Sequence, residues 1–412
     1  MNDFENRTLR IGFIGSGFIA NFHLDALVAV RNVDVCGVYS PTQSKRQVFA
    51  ERVREMGLGQ CRPYDSLEAL INSPDIDAVW ILAPNNTRLD VMRVIHRQVK
   101  AGRSQLVGIA CEKPLARNLA EAREMLRLVE DTDLLHGYLE NQIFCTPVQR
   151  GKEILWQRAV PLTGRPYLAR TSEEHSGPHE SWFWKGSEQG GGALSDLMCH
   201  CVEVGRFLLS TPGSNRDELR LKSVSATVAN LKWNKPPYTQ KLNDKFGLGK
   251  QGDYRPVEDF ARGTLIFEDD KANELIVEAS TSWAYVGSGL RIQLELSGPE
   301  YAMEFSSLNT SLKLFLSREV TGSEGEDLVE KQNAEQGLMP VVEDEAGVYG
   351  YVNENRHMVE SFRRTEMPSE NFVDGVAVVE MLMALYKSAE EGRVIYPDQE
   401  SLIDYVPVVA RI

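Results

Sequence analysis

The chain has 412 residues, more than one hydrophobic core usually supports, so two domains are expected. Its 45 basic and 59 acidic residues give a formal charge of −14, which disfavours nucleic acid and anionic membranes as partners. The N-terminal MNDFENRTLRIGFIG has no basic-then-apolar leader, and no apolar run approaches the roughly 20 residues a membrane helix needs. Six dispersed cysteines (Cys36, Cys61, Cys111, Cys145, Cys199, Cys201) read as reduced thiols, so a cytoplasmic protein is expected.

In chain order, LRIGFI (9–14) predicts a strand and FIANFHLDALVAV (18–30) a helix. VDVCGVYS (33–40), IDAVWILAP (76–84), LVGIACEKP (106–114) and LLHGYLEN (134–141) continue the strands, with amphipathic helical segments between them. This alternation predicts an α/β Rossmann-type dinucleotide-binding domain over 1–142, its parallel sheet covered on both faces. After about residue 145 the pattern changes to long alternating strands, at 221–233, 261–269, 273–286, 290–298 and 311–318. They predict an α+β domain over 143–412 with a large, mostly antiparallel open sheet. Such a sheet must bury its apolar face on helices or on another subunit, and a homodimer or homotetramer formed through it is expected. Segments 234–257 and 321–347 read as solvated loops. Helical periodicity returns at 351–364 and 372–391, where the helices could pack back on the first domain.

Gly15-x-Gly17-x-x-Ala20 lies directly after a strand and opens a helix, with Phe18 and Ile19 inside the motif. Gly15 permits the tight turn, Gly17 lets backbone approach a pyrophosphate, and Ala20 keeps helix close to strand. At the end of the second strand an NAD site would usually offer a carboxylate, but this chain has Ser40, then Lys45 and Arg46. Nothing there repels a 2′-phosphate, so the cofactor is NAD or NADP with a lean to NADP. Solvated residues on an exposed helix are the competing reading of Lys45 and Arg46.

GIACEKPLA puts Glu112, Lys113 and Pro114 where a strand stops, and Lys113 is therefore aimed at a cofactor crevice or, alternatively, paired with Glu112 at the surface. Further on, GGGALSDLMCHCVEVGRFLL (190–209) carries Asp196 and His200 four residues apart on one face of an apolar helix. A carboxylate there is costly unless paired, and an imidazole is the side chain best suited to take a hydroxyl proton near neutral pH. A structural Asp–His pair in a core is the alternative. Gly190, Gly191 and Gly192 suggest close approach to something bulky, such as a nicotinamide ring. Cys199, His200 and Cys201 point about 100° apart and cannot converge on one ion, so no metal is expected. EEHSGPHESWFWKG (173–186) sets His175, His179, Trp182, Phe183 and Trp184 close together, which suits a polyhydroxylated ring as well as core packing.

Taken together, the Gly15/Gly17/Ala20 loop, APN (83–85), EKP (112–114), GGGALSDLMCH (190–200) and DGVAVVEMLMALYKSAEEGRVI (374–395) resemble the Gfo/Idh/MocA oxidoreductases over nearly the whole chain. The resemblance implies that Lys113 orients the reacting hydroxyl, Asp196 binds substrate and His200 is the acid–base. It also implies that Glu112 faces the nicotinamide ribose and that Asn85 lies near the cofactor. Arg88 stands where the family often has histidine, and Ser40 where it usually has an acid. The expected activity is NAD(P)-dependent hydride transfer with a secondary alcohol of a sugar, sugar derivative or cyclitol. The rivals are a glycoside-cleaving enzyme that oxidises, eliminates and reduces with retained NAD, and a non-catalytic dinucleotide sensor.

Overall fold

The structure is a computed structural model that describes residues 7–248, 255–317 and 336–411. The chain divides into two compact units, Met1–Cys145 with Tyr349–Val379, and Thr146–Val348 with Glu380–Ile412.

The first unit begins β1 (Leu9–Ile14), α1 (Phe18–Leu27), β2 (Val33–Tyr39), α2 (Gln43–Glu55), β3 (Arg62–Tyr64) and α3 (Leu67–Ile71). It continues β4 (Ala78–Ile81), α4 (Asn85–Lys100), β5 (Gly108–Glu112), α5 (Leu119–Glu130) and β6 (Leu135–Leu139). The six strands lie in the order β3-β2-β1-β4-β5-β6, and every pair is parallel. β4 and β5 are buried throughout, which is why they read as unbroken apolar runs. Strand order reverses between β1 and β4, and ligands of such sheets bind beyond the carboxyl ends at that reversal.

The second unit holds α6 (Thr146–Arg158), α7 (Val160–Thr163), β7 (Leu168–Glu174), α8 (Gly186–Gln189), α9 (Ala193–Leu209), β8 (Arg220–Ala229) and α10 (Pro236–Phe246). After these come β9 (Phe260–Glu268), β10 (Glu274–Ser282), β11 (Arg291–Gly298), β12 (Tyr301–Ser306), β13 (Leu312–Leu316), β14 (Gly337–Val341) and α11 (Glu345–Val348). The chain closes with α12 (Tyr351–Arg364), in the first unit, and α13 (Phe372–Glu391). The large sheet runs β12-β11-β7-β10-β9-β8, antiparallel except for β7 beside β10. Its apolar face is covered by α9, which rests on β7 and β10. A Cβ on Gly205 would meet Val277 at 2.5 Å, so that residue must be small for helix and sheet to close. The opposite face carries the exposed Arg170, Glu278 and Glu295, with Arg170 Nε bonded to Glu278 Oε2 at 2.7 Å.

The loop reading of 234–257 needs correction. Residues Pro236–Phe246 form α10, whose Leu242 is buried with Trp184, Leu197, Val257 and Trp283. The prolines stand at the start of that helix and Gly247 ends it in the left-handed region, so both mark helix ends. In 321–347, residues 337–341 form β14 against β13, while 321–335 lie outside the described residues. Two elements gave little sequence signal. β7 turns Thr171 and Glu173 as well as Ala169 inward, and α6 buries Lys152 beside Val148. All six cysteines are free thiols. Among the described residues no helix is long and apolar enough to cross a membrane.

Candidate active site

Two of the three motif residues at the start of α1 have local causes. Gly15 sits at φ +122°, and a Cβ there would lie 2.5 Å from the Leu82 carbonyl oxygen, so glycine is obligatory. Ala20 is fully buried against the sheet. Gly17 differs, because among the described residues no atom beyond its chain neighbours lies within 4 Å of its would-be Cβ. Protein packing gives no reason for glycine there, whereas a ligand approaching the backbone does. The Gly17 amide and those of the exposed Phe18 and half-buried Ile19 open α1 with no side-chain cap, a donor set suited to a pyrophosphate.

At the end of β2, Ser40 is buried and Lys45 exposed. Arg46 is buried, with Nη2 on Asp65 Oδ1 at 2.5 Å and Nη1 on the Ser40 carbonyl at 3.2 Å. Of the two candidate cations, only Lys45 therefore stands out from the fold.

Asn85 opens α4 beyond β4, and Glu112 and Lys113 end β5, at the same edge of the sheet as the glycine loop. Arg88 ties these ends together. Its Nε donates to the Ala83 carbonyl at 2.9 Å, and Nη1 to those of Glu112, at 2.6 Å, and Pro114. One guanidinium thus satisfies three buried carbonyls, which an imidazole could not do.

Glu112 accepts from His23 Nε2 at 2.9 Å and from the Lys113 amide at 2.9 Å. Trp80 Nε1 donates to Asn355 Oδ1 at 3.0 Å, which directs the Asn355 amide nitrogen at His23 Nδ1, 2.9 Å away. His23 Nδ1 also lies 3.3 Å from Asn355 Oδ1, so both atoms of that amide face the ring. Burial pushes the Glu112 carboxyl up, but the hydrogen bond and charge of His23, then the cations Lys113 and Arg88, outweigh it and hold it below its ordinary value. Lys113 itself is half-buried.

In the second unit Asp196 and His200 are both buried on α9. Asp196 Oδ2 accepts from Trp283 Nε1 at 3.2 Å and lies 4.0 Å from His175 Nε2. The Gly177 amide donates to His175 Nδ1 at 2.9 Å, so the proton of that ring is on Nε2, facing Asp196. His200 Nε2 lies 3.9 Å from Glu173 Oε2. Glu173 and the residue just past the end of β7, His175, thus each face a residue of α9. This arrangement makes the buried Asp196 affordable, and Glu173 can stabilise positive charge on the His200 ring.

The aromatic candidates separate. Trp184 is core, packed between Trp233 and Trp283 with ring centroids 5.1 Å away in each case. Trp182 and Phe183 stack at 3.9 Å and are half-buried, as is His179.

The glycines before α9 also have a different neighbour from the one expected. A Cβ on Gly191 would collide with the Tyr386 hydroxyl, and one on Gly192 with the Glu258 carbonyl and carboxylate. The Tyr386 hydroxyl and the Glu258 carbonyl and carboxylate are by themselves enough to require glycine at 191 and 192. Glu258, Tyr386, Trp283, Glu173 and His23 were not identified from sequence. Only His23 left a local trace, a histidine among the apolar positions of the first helix.

Residues 9–138 match the model of an oxidoreductase family with an NAD-binding Rossmann fold. Residues 162–302 match the GFO/IDH/MocA C-terminal domain. The chain belongs to the GFO/IDH/MocA family of oxidoreductases. A levoglucosan dehydrogenase from Pseudarthrobacter phenanthrenivorans is 28% identical over 212 residues, 49% of this chain and 52% of that protein. A 1,5-anhydro-D-fructose reductase from Ensifer adhaerens is 25% identical over 285 residues, 68% of this chain and 72% of that one. The chain therefore spans about half the length of the levoglucosan dehydrogenase. GenD2 from gentamicin A biosynthesis, solved with NAD, has a TM-score of 0.74 at 22% identity, covering 95% of this chain and 96% of that one. That likeness is one of fold.

Proposed function

We propose that the protein oxidises a secondary alcohol of a sugar, sugar derivative or cyclitol, or reduces the corresponding ketone, with NAD or NADP. The observation that carries this is the buried Asp196–His175 and His200–Glu173 arrangement on one helix and one strand, in a chain that also has an NAD-binding Rossmann fold. The named activities of the anhydrosugar relatives support the substrate class.

In this reading the loop at Gly15, Gly17 and Ala20, with Phe18 and Ile19, binds the pyrophosphate, and Asn85 and Glu112 line the cofactor site. When bound, the nicotinamide exchanges hydride with the alcohol carbon. Lys113 donates to the reacting oxygen, Asp196 accepts from a substrate hydroxyl, and His200 takes the hydroxyl proton. Glu173 stabilises the resulting imidazolium, and in the reverse direction His200 returns the proton. His175, His179 and Trp182 contact the ring of the substrate. A preference for NADP rests on Ser40 and Lys45, since Arg46 is drawn to Asp65. We further place the protein in the cytoplasm as a homodimer or homotetramer through the large sheet, which sedimentation analysis of the purified chain checks.

His200→Ala tests the acid–base role. Turnover should fall by about 10²–10⁴-fold, the usual contribution of general acid–base catalysis, while nucleotide affinity stays within about twofold. Turnover that survives at neutral pH refutes the role.

A further inference from the structure

We propose that Glu258 and Tyr386 are positioning residues that set where α9 begins and so place Asp196 and His200; this rests on the reading of α9 as the helix that handles substrate. A helix leaves its first amides without partners, and Gly192, at the N-cap of α9, has no side chain to offer them. Here every one of those amides ends on the same two residues. Gly192 N donates to Glu258 Oε1 at 2.9 Å and to Tyr386 Oη at 3.0 Å. Ala193 N donates to the Glu258 carbonyl at 3.0 Å, Leu194 N to Oε1 at 3.1 Å, and Ser195 N to Tyr386 Oη at 3.2 Å. Tyr386 Oη closes the clamp by donating to Glu258 Oε1 at 2.6 Å.

Asp196 N is the first amide to return to the helix's own ladder, on Gly192 O at 3.0 Å. Any shift of the clamp therefore moves Asp196 directly, and His200 one turn later. The absent Cβ atoms of Gly191 and Gly192 are what let the clamp approach this closely.

Glu258 is met by Tyr386 from α13 and by amides of Gly192 and Leu194 from α9. Its neighbour Asp259 is engaged elsewhere, accepting from the amides of Leu231, Lys232 and Trp233. Glu258 Oε2 is buried with no hydrogen-bond partner among the described residues. Burial pushes this carboxyl up to about 7 despite the bonds from Tyr386 and the amides. The folded state then keeps a proton that the unfolded chain releases near 4.5. The resulting stability is fully present below that value and is lost as pH rises through about 7.

The test uses Tyr386→Phe and Glu258→Gln in the full chain. In Tyr386→Phe, the amides of 192–196 should exchange hydrogen about 10-fold faster while the rest of α9 stays protected. Turnover of whichever polyol reduces NAD⁺ or NADP⁺ should drop by about 10-fold or more from the misplaced helix start, with nucleotide affinity unchanged. Glu258→Gln keeps the acceptor oxygen, so it should retain turnover. Its melting temperature should also lose the part of the wild-type decline between about pH 5 and pH 8 that the carboxyl causes. Wild-type exchange at 192–196 in Tyr386→Phe overturns the clamp. If that variant does not fold, wild-type exchange at 192–196 in Glu258→Ala overturns it instead. Should His200→Ala retain turnover, the function assigned to α9 fails, while exchange and melting still judge the clamp.

Discussion

Gly17→Ala separates a glycine required by a ligand from one required by the fold. Gly17 has φ −83°, which alanine adopts freely, and among the described residues its would-be Cβ has no atom beyond its chain neighbours within 4 Å. The cost to the unliganded protein is confined to replacing glycine by alanine at an N-cap, about 0.5–1 kcal/mol. A methyl group there would stand between the backbone of α1 and a pyrophosphate. Losing one charge-assisted amide bond to that anion costs about 1.5–3 kcal/mol, or roughly 10- to 150-fold in affinity. Gly15→Ala is the control, since its φ of +122° and the Leu82 carbonyl at 2.5 Å penalise the protein itself. Titration with NADH, followed by its fluorescence, and thermal unfolding without nucleotide measure the two effects. Gly17→Ala should melt near wild type and bind poorly, whereas Gly15→Ala should lose melting temperature. If Gly17→Ala binds NADH within twofold of wild type, the loop is not the cofactor cradle.

Trp283→Phe removes the indole donor to Asp196 and leaves a small void in a fully buried site. Unfolding in urea should show a loss of about 1.5–3 kcal/mol, the usual worth of a hydrogen bond to a charged group, together with a raised KM. Glu354, whose carboxylate Oε2 is 3.9 Å from His23 Nδ1, is fully buried. Burial, then the charges of Glu112, Glu140 and Glu370, hold its carboxyl well above 4.5. The folded carboxyl therefore holds its proton more tightly than that of the unfolded chain, so this stability is present below 4.5 and is lost as pH rises towards the folded value. Glu354→Gln should flatten that slope and match or exceed wild-type stability at pH 8, as read from melting curves across pH.

What the sequence revealed depended on whether a residue's partner was local. β4 and β5 are buried on both faces and appear as apolar runs, and α12 and α13 begin and end where their periodicity does. Gly15 was legible because strand, turn and helix adjoin. β7 was not, because two of its inward residues, Thr171 and Glu173, are polar and break the alternation. α10 was hidden by the proline and glycine that bound it. At the site, spacing alone put Asp196 and His200 on one face. Their partners come from other elements: Trp283 lies 87 residues from Asp196, and Glu258 and Tyr386 lie 66 and 194 residues from Gly192. No local pattern encodes such pairings, and the glycines that answer them looked like room for a ligand.

The most direct measurement is nicotinamide absorbance on mixing the purified protein with NAD⁺ or NADP⁺ and a panel of aldoses, anhydrosugars, glycosides and inositols. Continuing reduction of the nucleotide with one polyol, abolished in His200→Ala, is the predicted result, and the nucleotide that supports it settles the Ser40 and Lys45 question. Release of a leaving group from a glycoside with no net reduction of the nucleotide contradicts the account.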